Sequence, residues 1–267
     1  MSRTYVAPLF VLSAIWGSSY MFIKVGVRDF SPATLVDVRL ALAAAVLVVF
    51  VTLRGTARRL RGALAPGAVV GVVGMALPFV LISWGETHID SGIAGVANAS
   101  VPIFVALLAL RFAQSERLYG LRLFGLAVVL SSLCYAVSSL YVQRHVGVGG
   151  PELAATSTLC GAIVMLPFAA ARVPDHVGWK PLVSVAVLGI VGTGFATIVA
   201  NRLIGAHGSA RAMLVNYLIP GFALVYGVVV LAEPLTAAEV LGLALILTGV
   251  TLASGVVRLR RRAVAEA

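Results

Sequence analysis

The chain has 267 residues, of which 60% are hydrophobic and 11% charged, and its mean hydropathy is +1.04. Soluble domains carry roughly 25% charged residues, and a chain this short has no core large enough to hide so much apolar surface from water, so the composition calls for a lipid bilayer. The net charge of +10 does not point to nucleic acid, because the basic residues fall in short clusters between apolar blocks (Arg54, Arg58, Arg59, Arg61; Arg258, Arg260, Arg261, Arg262) with no aromatic residues interleaved for base stacking.

Taken in order, the apolar blocks run over Tyr5–Gly26, Ser31–Leu53, Gly67–Gly85, Ser91–Phe112, Leu118–Val142, Pro151–Ala171, Leu182–Ile204, Ala210–Leu231 and Ala237–Val257. Each is close to the ~20 residues that cross a bilayer as a helix. They are too long and too uniformly apolar for barrel strands. The expected fold is therefore all-α, a polytopic transmembrane helix bundle with nine spans. Arg3 precedes the first block as in a signal peptide, but no small-x-small cleavage site follows, so that block reads as a retained span. Cys134 and Cys160 lie inside apolar runs without metal spacing and read as small buried residues. The stretch RLFGLAVVLSSLCYAVSSLYVQRH, Arg122 to His145, is barely longer than one span. With no turn signal inside it, Leu118–Gln143 is expected to form one helix.

Sliding the chain by 118 residues lays Gly71 on Gly189, Gly74 on Gly192, Asn98 on Asn216, Pro102 on Pro220 and Phe104 on Phe222. After a one-residue gap, Glu116 falls on Glu233, Leu118 on Leu235 and Gly125 on Gly242. Asn, Pro and Glu are rare in membrane helices, so their shared register marks an internal repeat, with halves at residues 1–130 and 131–267. Secondary transporters are commonly built from two such halves.

The second copy, AHGSARAMLVNYLIPGFALVYGVVVLAEPLTAAEVLGLALILTGVTLAS, resembles the end of an EamA domain of the drug/metabolite transporter superfamily. WGSSYMFIK resembles that family's first helix, and SGIAGVANASVPIFVALLALRFAQSERL its fourth helix and following loop. The resemblance covers nearly the whole chain, with AEPLT at Ala232–Thr236 where the family pattern has GEPLT. It implies ten helices in two inverted five-helix halves that move small metabolites through a central cavity. The apolar blocks supply nine, so about one central helix is missing. Ten spans would concentrate Lys and Arg on the cytoplasmic side, whereas nine divide them almost evenly. With nine crossings an even number separates equivalent helices, so the helices carrying Asn98 and Asn216 are expected to run parallel.

Candidate substrate-binding residues are Trp16, Tyr20, Arg39, Asn98, Asn216 and Tyr217. Arg39 is the one basic side chain deep inside a span, where a charge marks a functional site by default. A pair with Asp37 or Glu86, or snorkelling to a surface, is its structural alternative. Asn98 and Asn216 are costly to bury without partners, and Trp16, Tyr20 and Tyr217 offer rings with polar tips near span centres. Tyr135 shares that chemistry, while Trp84 and Tyr141 fit an interfacial belt. Pro102 and Pro220 sit mid-helix as candidate hinges. Glu86 and Asp90 fall at a helix end and read as solvated loop charges. The glycine runs at Gly67, Gly71 and Gly74 and at Gly189, Gly192 and Gly194 read first as packing surfaces.

An enzyme would need acids, bases or metal ligands grouped at depth, but His88, His145, His176 and His207 fall near loops or helix ends and no nucleotide-binding loop is present. No enzyme activity, cofactor, metal or nucleic-acid partner is expected. The expectation is a multi-pass inner (plasma) membrane transporter for a small-molecule substrate, amino-acid-like or amphiphilic, with homodimerisation left open. The rival is a degenerate or engineered chain that folds without transporting. Proton coupling would need an intramembrane carboxylate, and Asp37 comes nearest.

Overall fold

The computed structural model describes residues 3–99, 126–128, 130–135, 137–138, 141–142, 150–207 and 214–253. The helices are α1 (Arg3–Gly26), α2 (Pro32–Leu53), α3 (Ala57–Glu86), α4 (Ser91–Ala99), α5 (Leu126–Tyr135), α6 (Pro151–Ala170), α7 (Trp179–His207), α8 (Val215–Leu231) and α9 (Ala237–Ala253). No strand occurs among the described residues. Helices α1, α2, α3, α6 and α7 are long and apolar enough to cross a membrane. The expected single helix over Leu118–Gln143 is described only in part. Residues 126–128, 130–135, 137–138 and 141–142 are helical, with no reversal at Ser131 and Ser132, and the rest of that stretch lies outside the described residues, as does Pro102.

Sequence dictates the helix ends. Ser31 caps α2 by accepting the Thr34 amide at 3.2 Å, and Pro32 follows at the first helical position, where its missing N–H is not needed. Along α2 the residues Val36, Leu40, Ala43, Leu47 and Val51 are wholly buried, a stripe at helical spacing that makes α2 the central packing element. Helix α6 lies on it. Where α3 crosses α6, a Cβ on Gly71 would meet the Ser157 carbonyl and come within 2.9 Å of the Gly161 nitrogen, so glycine lets the two backbones touch.

Helix α8 ends at Ala232, whose φ of 55° and ψ of 33° are left-handed. Glycine carries no Cβ penalty in that conformation, and alanine does. This is the position where the chain reads AEPLT in place of GEPLT. The substitution A232G is expected to raise stability by about 1 kcal/mol, measured as the thermal unfolding midpoint in detergent. An unchanged or lowered midpoint would mean that the turn is held by something other than this dihedral.

Contacts fix the relative directions of the helices. Thr34 Oγ1 donates to the Arg172 carbonyl at 3.0 Å, and Leu40 packs on Gly161, so α2 and α6 are antiparallel. Gly189 rests on Leu42 and Gly194 on Val46, so α7 follows α2 and runs against α3. Ser91 packs beside Gly227, and Gly95 beside Ala223, so α4 and α8 are antiparallel too. All three pairs of repeat-equivalent helices are inverted, and the parallel expectation is corrected. It assumed one crossing between α4 and the next span. Yet Tyr135 packs on Phe79 and Ser138 beside Gly74, so α5 runs against α3, in the same direction as α4. Simple alternation of spans therefore fails at this point.

The repeat is also visible inside the helices. Val72–Ala76 in α3 and Leu188–Phe195 in α7 are π-helical turns. The 118-residue offset lays the first within the second. Such turns widen a helix locally, release carbonyls from the regular ladder and cluster at functional sites.

Candidate substrate cavity

The two π-turns face a cavity of about 470 Å³ between the halves. All six residues expected at a substrate site line it, together with Ser19, Phe79, Ser132, Tyr135, Thr193 and Thr197. Pro220 is buried in α8 one residue beyond Ile219, which is on the wall.

Arg39 projects from α2 and is 5% exposed. Its Nε donates to Thr193 Oγ1 at 2.8 Å, and that hydroxyl donates in turn to the Leu188 carbonyl at 2.9 Å. The guanidinium carbon lies 3.8 Å from the Phe79 ring centroid, a cation–π contact. Among the described residues no carboxylate lies within salt-bridge distance, so neither Asp37 nor Glu86 is its partner. The fixed Nε leaves the two terminal nitrogens as a planar fork suited to an oxyanion.

Asn98 joins three helices. Its Nδ2 donates to the Tyr20 hydroxyl at 2.7 Å. Ser131 and Ser132 donate to its Oδ1 at 2.9 and 3.0 Å, and Ser132 also reaches its backbone carbonyl at 2.7 Å. The asparagine thus does both things the sequence left open: it satisfies an interhelical network and forms part of the wall. On the other side Trp16 Nε1 donates to the Gly192 carbonyl at 3.1 Å, a carbonyl within the π-turn. Asn216 and Tyr217 begin α8 and are exposed, whereas Ile23 and Ile82 on the opposite wall are 2% and 4% exposed. The cavity is open at the Tyr217 end and shut at the Ile82 end.

Above the shut end lies a polar cluster that sequence reasoning missed. Glu233 accepts the Ser91 amide at 3.0 and 3.1 Å and the Ser91 hydroxyl at 2.6 Å, capping α4 from the link between α8 and α9. Thr236 and Glu239 form a reciprocal capping box at the start of α9. Burial, and then Glu233, push the Asp90 carboxyl above its ordinary value, against the pull of Lys24. The expectation for Glu86 is corrected, because it is wholly buried rather than solvated. Asp37 is half-buried, and both cysteines are free and half-buried rather than buried. A position at a helix end looks solvated in sequence. The burial of Glu86 comes from α1 and α4 closing over it, a tertiary effect.

Residues 4–136 and again residues 122–255 match the EamA-like transporter family. The chain belongs to that family. The two matches overlap on residues 122–136, the short central stretch. An uncharacterized transporter of Archaeoglobus fulgidus is 27% identical over 259 residues, 88% of this chain and 93% of the relative. The uncharacterized inner membrane transporter YedA of Escherichia coli is 25% identical, over 83% of this chain and 70% of its own length. A probable terminal-alkyne amino-acid exporter of Streptantibioticus cattleyicolor is 27% identical, over 89% of each chain. The protein is a multi-pass membrane protein of a transporter family.

Proposed function

We propose that this EamA-family chain exports small amino-acid-like or amphiphilic solutes that carry a carboxylate, loading them from the cytoplasm into the central cavity. Arg39 carries the proposal: a buried cation with no carboxylate partner among the described residues, set in a cavity with mostly apolar walls. In low dielectric such a charge attracts a substrate carboxylate far more strongly than it would in water. Trp16, Tyr20 and Tyr217 supply apolar faces for the rest of the solute, and Asn98 and Asn216 supply polar edges. Pro220, with Pro102 as its repeat equivalent, would serve as a hinge, and the repeat boundary would fall near residues 130–131. The name of the Streptantibioticus relative, an amino-acid exporter, supports the substrate class.

Sidedness follows from charge. Arg3, Arg54, Arg58, Arg59 and Arg61 lie at the end of the bundle that bears the N-terminus, with Glu152 at the start of α6 beside them, while Arg28, Arg172 and Lys180 mix with Asp29, Asp90, Asp175 and Glu233 at the other end. The positive-inside bias assigns the first end to the cytoplasm, which is also the end where the cavity is open.

Inside-out vesicles from cells producing the protein are expected to take up a mixture of radiolabelled neutral amino acids saturably, above vector controls. The rival, a chain that folds without transporting, draws on the overlap of the two family matches over residues 122–136. Correctly inserted protein with uptake equal to the control would favour that rival.

A further inference from the structure

Glu86 ends α3, one helical turn beyond Ile82 of the cavity wall. It is 0% exposed, and neither carboxylate oxygen has a hydrogen-bond partner among the described residues. Lys24 is the adjacent cation, but its Nζ donates to the backbone carbonyls of Glu86 and Ile89, at 3.0 and 2.6 Å, rather than to the Glu86 carboxyl. Its distance to Asp90 Oδ1 is 4.0 Å. An ionised carboxylate shut away from water without a donor is strongly disfavoured, whereas the protonated acid is a neutral group that this pocket tolerates.

We propose that Glu86 is a proton-binding site that couples transport to the proton gradient, taking up a proton when the outer end opens to water and giving it up through the central cavity after that end has shut. The coupling role rests on the transporter reading; proton binding does not. The groups around Glu86 suit a switch. Lys24 on α1 is held by carbonyls, so on release of the proton it can turn to the new carboxylate and pair with it. Arg39 on α2 and Tyr20 on α1 lie on the cavity side of Glu86. Asp90 between α3 and α4, Glu233 between α8 and α9, and Glu239 on α9 make the outer side acidic and disfavour a further negative charge. Opening the outer end separates α4 from Glu233 and admits water to Glu86, whose carboxylate takes a proton from that water; once the end has shut, the proton leaves toward the cavity, one helical turn away past Ile82. No other bond changes.

Two measurements test this on the whole protein. The infrared spectrum at pH 7 is expected to show a protonated-carboxyl C=O band that E86Q removes and D37N leaves in place. Absence of the band, or its persistence in E86Q, overturns the proposal whatever the substrate is. In proteoliposomes carrying the amino-acid mixture, a pH gradient is expected to drive accumulation by the native protein. E86Q should keep downhill exchange and lose the gradient-driven part. Gradient-driven accumulation retained in E86Q overturns the coupling role. If the native protein moves none of the amino acids, the proposed substrate class fails while the infrared result still decides proton binding. Should E86Q fail to fold, K24M supplies the second variant: it removes the counter-cation, and gradient-driven accumulation is expected to fall at least tenfold while the C=O band remains. Loss of the band in K24M would contradict the switch.

Discussion

Replacing Arg39 by methionine is expected to weaken the apparent affinity for a carboxylate-bearing solute by about 10- to 100-fold. A hydrogen bond to a charged group contributes about 1.5–3 kcal/mol, and about 1.4 kcal/mol is a factor of ten in affinity. Methionine fills similar space against Phe79, so the folded protein is expected to survive, with its thermal midpoint close to the native one. R39K should fall between. It keeps the charge, but the compact ammonium loses both the Nε bond to Thr193 and the flat contact with Phe79. Uptake by inside-out vesicles at a series of substrate concentrations measures this. An affinity unchanged in R39M, with the protein inserted normally, would mean that Arg39 is structural.

The second large effect is expected at Glu233. Its carboxylate accepts from the Ser91 amide, the Ser91 hydroxyl and the Gly92 amide, so one side chain satisfies the first turn of α4 across the boundary between the halves. E233A leaves those donors without their acceptor, at a cost of about 2–3 kcal/mol. For a chain of this size that lowers the thermal midpoint by roughly 5–10 °C. E233Q retains an acceptor oxygen and should lose about half as much. Because the cap lies at the shut end, E233A is also expected to make vesicles leak preloaded solute. A midpoint within a degree of native in E233A would show that α4 does not depend on this cap.

Much of this was legible in the sequence. Hydropathy alone located the helices, and the shared register of Asn, Pro and Glu revealed the repeat before any coordinates. All six proposed substrate contacts were chosen by depth and side-chain chemistry, and they line one cavity. Two things were not legible. Relative helix direction was derived from a count of crossings, and that count was least certain at Arg122–His145, where two family matches share the same residues. Nor does one residue's burial follow from its place in a helix. Glu86 and Asp90 look alike in sequence, but only Glu86 is covered by neighbouring helices. Thr193 was hidden for a related reason. It reads as part of a glycine-rich packing run, and its π-turn, which aims the hydroxyl at Arg39, is visible only in the structure. One signal for it was available, because that turn lies at the repeat-equivalent position of Val72–Ala76.

Inverted halves around one cavity are the basis of any alternating-access mechanism for this chain, and cross-linking between α4 and α8 tests that arrangement most directly. Gly92 lies beside Leu224, a Cβ on the glycine coming within 3.1 Å of the leucine side chain. In a background with Cys134 and Cys160 replaced by serine, the pair G92C and L224C is expected to form a disulfide in native membranes on mild oxidation. The pair G92C and Y217C should not, because antiparallel packing sets Tyr217 at the far end of α4. Cross-linking of G92C to Y217C without cross-linking to L224C would mean that the helices run parallel, and it would contradict the inverted architecture.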